Sequence, residues 1–211
     1  MRKVIQVLFV LIIVILGYLI IESIMEPIRF NQEVEVREQA TIDRLIDIRE
    51  AQKAYKDIYK RYTGSFDTLK SFLDTGSFAV VKAIGEIPEE WLDEMGFEKA
   101  RERALNEGVI SRETTHVPVL DSLLGAGYNT DSLKLVPFTE GVTFFIESGE
   151  ILTSSNLIVQ VVEVSAMYDD LLNGMDRQLI VNYKDERMKI VGFEGVKFGS
   201  MEEGTLTGNW E

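Results

Sequence analysis

Residues Val4 to Ile21 form an apolar run in which Gln6 is the one polar side chain. Its 18 residues rise about 27 Å as a helix, close to the roughly 30 Å hydrocarbon core of a bilayer. Such a run is predicted to be an uncleaved signal-anchor, with Val4, Leu8, Leu11, Val14, Gly17 and Ile21 facing lipid. The competing reading is the apolar region of a cleaved signal peptide, since Arg2 and Lys3 precede it. The run is longer than the usual signal core, and its exit, Gly17-Tyr-Leu-Ile-Ile-Glu22, has no small-x-small cleavage site. Gln6 either hydrogen-bonds across a helix interface or reaches the head groups, and Gly17 permits close approach of another helix.

The flanks set the expected orientation. Arg2 and Lys3 stand before the run, whereas Glu22, Glu26, Glu33, Glu35 and Glu38 crowd its far side with few cations. The positive-inside rule then places the N-terminus in the cytoplasm and the rest of the chain in the periplasm. The expected location is the bacterial cytoplasmic (inner) membrane, crossed once.

Beyond the span, Pro27 falls where a helix leaving the bilayer can bend, because proline removes one donor and crowds the preceding turn. From Glu38 onward Ile42, Leu45, Ile48, Ala51, Tyr55, Ile58, Tyr59 and Tyr62 recur at three- and four-residue spacing, with charges between them. That spacing predicts an amphipathic helix stopped at Gly64. Arg49 and Lys53 are read on its solvated face, where charge patterns can also register neighbouring copies. Together with Tyr55, Tyr59, Tyr62 and the C-terminal Trp210 they are the candidate partner-binding residues. Trp210 alternatively closes over its own domain.

The N-terminal third resembles a type IV pilin or a type II secretion pseudopilin. The resemblance rests on the short basic lead, the apolar helix, Pro27 near the membrane exit, and the words Arg49-Glu-Ala-Gln-Lys-Ala-Tyr55-Lys56 and Tyr62-Thr-Gly64-Ser-Phe66-Asp-Thr-Leu69. It implies a long helix carrying a pilin-like α+β domain, and a role in assembly. The sequence departs from the family in having no acidic residue between Arg2 and Ile21 and no peptidase glycine before the run. The ending Gly-Asn-Trp210-Glu211 resembles that of uncharacterised envelope proteins of Bacteroidota. Asp67-Thr-Leu69, Asp121-Ser-Leu123 and Asp131-Ser-Leu133 are similar to O-glycosylation acceptors of the same group, although Asp and Ser also start turns and helices.

Three regions follow: 1–25, cytoplasmic tip and span; 26–63, amphipathic helix; 64–211, an extracytoplasmic domain. Thr68 to Leu73 reads as a short helix or a turn, and Ser77 to Ile84 as a strand or a helical turn. Pro88 opens a helix broken near Gly96, and Thr114 to Leu120 reads as an edge strand around Pro118. Val142–Glu147, Asn156–Ser165, Gln178–Tyr183 and Met188–Phe193 read as strands, with a hairpin turn at Ser148-Gly149-Glu150. The expected fold class is α+β, with a mainly antiparallel sheet.

The formal charge of −13 and pI near 4.6 disfavour nucleic acid and anionic lipid head groups as partners. With no cysteine and His116 as the one histidine, thiol catalysis, disulfides and the common zinc sets are excluded. No nucleophile elbow, P-loop or dinucleotide fingerprint occurs, and Gly125-Ala-Gly127 lacks a phosphate-binding continuation. The sequence therefore predicts a noncatalytic structural or assembly component of an envelope or secretion-type complex, without metal or cofactor, working through helix and sheet-edge contacts with protein partners or copies of itself. A domain that binds or senses a ligand is the alternative.

Overall fold

The computed structural model describes residues 2–211. Its dominant element is one helix, α1 (Arg2–Tyr59), which runs without interruption through Pro27. The chain forms two compact units, the first made of residues up to Leu69 together with Asp131–Glu211 and the second of Lys70–Thr130.

In the first unit α1 packs on a three-stranded antiparallel sheet, ordered β3-β4-β5. These strands are β3 (Phe145–Leu152), β4 (Ile158–Met167) and β5 (Gly195–Gly199), numbered after two strands of the second unit. The register pairs Val164 with Phe198 and Ala166 with Val196, so Val162, Val164, Ala166, Val196 and Phe198 share one face, and all five are buried. On α1 the buried row is Phe30, Val34, Thr41, Leu45, Ile48, Ala51, Gln52, Ala54 and Tyr55. Each large aliphatic or aromatic side chain removed from water contributes about 1.5–3 kcal/mol. Ile58 and Tyr59, expected on the apolar face, are exposed, and Ile42 is half-buried.

The helix ends earlier than its pattern suggested. Lys60, with φ 61°, breaks it after Tyr59, and the buried Gln52 side chain fixes the chain beyond. Its Nε2 donates to the Thr63 carbonyl at 2.6 Å, and its Oε1 accepts from the Thr63 N–H at 3.1 Å. The stop is a side-chain amide acting like a strand partner, with no need of Gly64.

Two further expectations are corrected. Gln178–Tyr183 and Met188–Phe193, read as strands, belong to one helix, α7 (Arg177–Val191), save for the last two residues. Asp176 caps it, its carboxylate accepting from the Leu179 N–H at 2.9 Å, and Gly192 closes it at φ 70° while donating to the Met188 carbonyl. Caps override two short apolar runs that periodicity alone cannot assign. Ser148, Gly149 and Glu150 lie inside β3, and the reversal falls at Thr153–Leu157, where the Thr153 N–H donates to the Leu157 carbonyl at 2.9 Å and Asn156 takes φ 58°. The short helix α6 (Tyr168–Leu171) follows β4.

The second unit holds β1 (Ser77–Ile84) paired antiparallel with β2 (Ser111–Pro118), the helices α3 (Glu89–Met95) and α4 (Phe97–Asn106), and the short α5 (Val119–Leu123). Gly96 separates α3 from α4 at φ 75°, as its place in the sequence suggested. The remaining helix, α2 (Phe66–Thr75), contains the point at which the units divide. The observed class is α+β, a long N-terminal helix followed by mixed helices and small antiparallel sheets.

Candidate functional site

The first unit owes its polar geometry to α1. Glu38 lies in the row Val34–Glu38–Thr41–Leu45, among side chains that face the sheet. Its Oε1 accepts from the Tyr168 hydroxyl at 2.9 Å and from Arg187 Nη2 at 3.2 Å, and its Oε2 accepts from the Tyr183 hydroxyl at 2.7 Å. Arg187 Nε also donates to the Tyr168 hydroxyl at 3.0 Å. The Tyr168 and Tyr183 rings meet edge to face at 5.1 Å, and Phe30 adds a further edge contact to Tyr183 at 6.3 Å.

Burial, followed by the adjacent Glu38 charge, pushes the Tyr168 hydroxyl far above its ordinary range. Tyr183 is pushed up to about 12, first by burial and then by its hydrogen bond to Glu38. Both remain neutral donors at any physiological pH. Glu38 accepts three hydrogen bonds, so its carboxylate is committed to holding α1 against α6 and α7. Beside the cluster, Asn31, Val34, Gln39, Ile42 and Glu186 border a groove of about 360 Å³.

Arg37, one residue earlier, extends this attachment. Its Nη1 donates to the carbonyls of Leu171 and Asn173 at 3.0 and 3.3 Å, and its Nε pairs with Glu33 at 2.8 Å. It thereby satisfies carbonyls at the end of α6. On α7, Lys184 joins Asp169 at 2.5 Å and Glu194 at 2.9 Å, hydrogen bonds that hold its ammonium above its usual range.

The sequence-derived candidates divide between these contacts and solvent. Arg49, expected on the solvated face, is turned inward. It pairs with Glu211 at 2.6 Å, donates to the Leu206 carbonyl at 3.3 Å, and places its guanidinium 5.9 Å from the ring centre of the half-buried Trp210. Hydrogen bonding to Arg49 holds the Glu211 carboxyl below its ordinary range. Trp210 thus closes over its own domain. Tyr55 is buried, with its ring 4.6 Å from that of the exposed Tyr59. Tyr62 is also buried and accepts from Lys56 at 3.1 Å. Lys53 is exposed and paired with Glu50 at 2.7 Å. The structure brings Arg49 and Trp210 together and leaves Lys53 and Tyr59 on the surface.

Of the membrane-facing set, Leu8, Leu11, Val14 and Ile21 are exposed and Gly17 is half-exposed; the Val4 side chain lies outside the description. None of the apolar window of α1 is buried inside the chain's own fold. Its length and composition suit a membrane anchor and a signal sequence alike. His116 is exposed on β2. Thr68 and Ser122 are exposed on helices, and Ser132 is half-buried, its carbonyl accepting from Arg44. Among the described residues no three His, Cys, Asp or Glu side chains converge as a metal site.

Sequence reasoning missed Glu38, Tyr168, Tyr183 and Arg187. The one available signal was a carboxylate in an otherwise core-facing row of α1. Comparisons with protein-family models, curated proteins and solved structures return no match.

Proposed function

We propose that this chain is a membrane-anchored, noncatalytic structural or assembly component of a bacterial envelope or secretion-type complex, built on a pilin-like plan. The supporting observation is the division of α1. Its apolar window has no cover from the rest of the chain, whereas from Phe30 to Tyr55 the same helix is the core of the first unit. A rigid element that is half anchor and half domain core ties the position of the domain to that of the bilayer. The N-terminus lies in the cytoplasm and the domain in the periplasm, in keeping with Arg2 and Lys3 before the run. The polar clusters on α1 serve packing, which favours contacts over chemistry.

In-cell photocrosslinking from the exposed Lys53 and Tyr59, and from Leu152 at the hairpin tip, tests the reading. Recurrent adducts with the same envelope protein or with the chain itself are expected. Monomer alone at every position, with the crosslinker reactive towards added thiol, counts against it.

A second reading is favoured by a groove of about 370 Å³ on the first unit, lined by Val136, Val142, Phe145, Ser165, Met167 and Phe193 among others. A mainly apolar recess suits a small ligand. Thermal stabilisation by a lipid or glycan from an envelope extract, lost in Met167→Glu, would move the function to ligand binding.

A further inference from the structure

We infer that α1 carries a self-association seam, through which copies of this chain form a parallel, in-register helical bundle. The inference rests on the anchored reading above and names the partner. Val7, Val10, Val14, Gly17, Ile21, Ile24, Ile28 and Asn31 recur at alternating three- and four-residue steps, the a and d positions of successive heptads. Except for Gly17 and Asn31 every one is β-branched. The described side chains on this line are exposed, apart from the half-exposed Gly17.

Three observations make the line more than a lipid-facing surface. First, it continues past the apolar run. Ile24 is 58% exposed and Ile28 43%, and Ile28 lies about 10 Å beyond Ile21 at 1.5 Å per residue, where acyl chains no longer cover it. Second, the charges avoid it. Glu22 and Arg29 share one flank, where they pair with each other at 3.0 Å, and Glu26 lies opposite the seam. Third, the domain leaves it open. Phe30 and Val34, buried beneath the domain, lie roughly 130° and roughly 90° around the helix from the midline of Ile28 and Asn31 at 100° per residue.

The bilayer supplies the rest. It gives every copy one orientation and one depth, so identical residues meet at identical heights. Gly17 allows close approach inside the membrane, and a polar Asn31 on the seam fixes register, as single polar core residues do in coiled coils. The seam ends at Glu35, whose like charges would face one another. Beyond it α1 turns to its own domain.

The chain has no cysteine, so single-cysteine variants of the full-length protein report on the seam directly. Membranes carrying Ile24→Cys, Ile28→Cys or Glu26→Cys are oxidised briefly and the disulfide-linked dimer is quantified. About tenfold more dimer is expected from the two seam positions than from Glu26→Cys, because a and d side chains meet in the interface and outward positions do not. Adding Ile28→Glu to Ile24→Cys should abolish the dimer, and adding Glu26→Ala should leave it. All of these residues lie outside the folded domain. Equal crosslinking at the three positions, or none, in chains recovered in the membrane fraction overturns the seam and leaves the anchor standing. Chains absent from the membrane fraction overturn the anchored reading itself.

Discussion

Replacing Glu38 by alanine removes the acceptor shared by Tyr168, Tyr183 and Arg187. The magnitude follows from what is left behind. Two hydroxyls that donate to a carboxylate at 2.9 and 2.7 Å each lose a charge-assisted bond, with a net value of about 1.5 kcal/mol at the low end. The ion pair adds at most about 1 kcal/mol, because Arg187 and Glu38 keep 21% and 15% of their side-chain exposure and water takes over part of the loss. Tyr168 retains the Arg187 Nε bond, which limits the damage. Glu38→Ala is therefore expected to cost about 3–4 kcal/mol, and Glu38→Gln, which keeps an acceptor, about half of that. Urea denaturation of the full chain in detergent, followed by tyrosine fluorescence, measures both. Glu35→Ala, on the exposed side of the same turn, should stay within about 0.5 kcal/mol of wild type. A double-mutant cycle with Tyr183→Phe should give a coupling above about 1 kcal/mol. A loss below about 1 kcal/mol for Glu38→Ala, or no coupling to Tyr183, refutes the reasoning, since the clamp would then not secure α1 to the domain.

Gln52→Ala leaves the Thr63 N–H and carbonyl buried without their partner and should cost about 2–3 kcal/mol, visible in the same denaturation assay, whereas Lys53→Ala should be near neutral. Gly199 takes φ 78°, and a Cβ there would stand 2.0 Å from the Val162 carbonyl oxygen; Gly199→Ala should destabilise by at least about 2 kcal/mol through strain and loss of the β4–β5 ladder. The raised Tyr183 pKa, about 12 against an ordinary 10, means that the unfolded chain releases its proton first. Stability contributed below pH 10 should therefore fall as pH rises from about 10 to 12. Tyr183→Phe should flatten that part of a stability–pH profile.

The sequence made the long helix legible because an apolar run and a three-four periodicity are local signals, and it made β4 legible through its Val-rich composition, whereas of β3 it caught only Phe145 to Glu147. Their turn was misplaced because Ser148-Gly149-Glu150 has turn chemistry, while the actual reversal uses Asn156 at positive φ. Helix α7 was read as two strands because Ile180-Val181 and Ile190-Val191 are short β-branched pairs, and the decisive signals were the flanking Asp176 and Gly192 caps. The clamp was hidden for a different reason. Glu38 sits on a helix full of carboxylates, and its partners lie 130 to 149 residues away, so only its place in a core-facing row sets it apart from its solvated neighbours. Arg49 was misread likewise: its partner, Glu211, lies 162 residues away.

The role proposed for α1 is that of an anchor with the domain held on the far side of the membrane, and cysteine accessibility tests this most directly. Lys3→Cys and Ser154→Cys, the latter on the exposed β3–β4 turn, are placed singly in the cysteine-free chain and treated with a membrane-impermeant maleimide in intact spheroplasts. Labelling of Ser154→Cys but not of Lys3→Cys until the membrane is broken, with the full-length chain resisting alkaline extraction, is the predicted result. Labelling of both, the reverse pattern, or release of a shortened chain into the soluble fraction would contradict it.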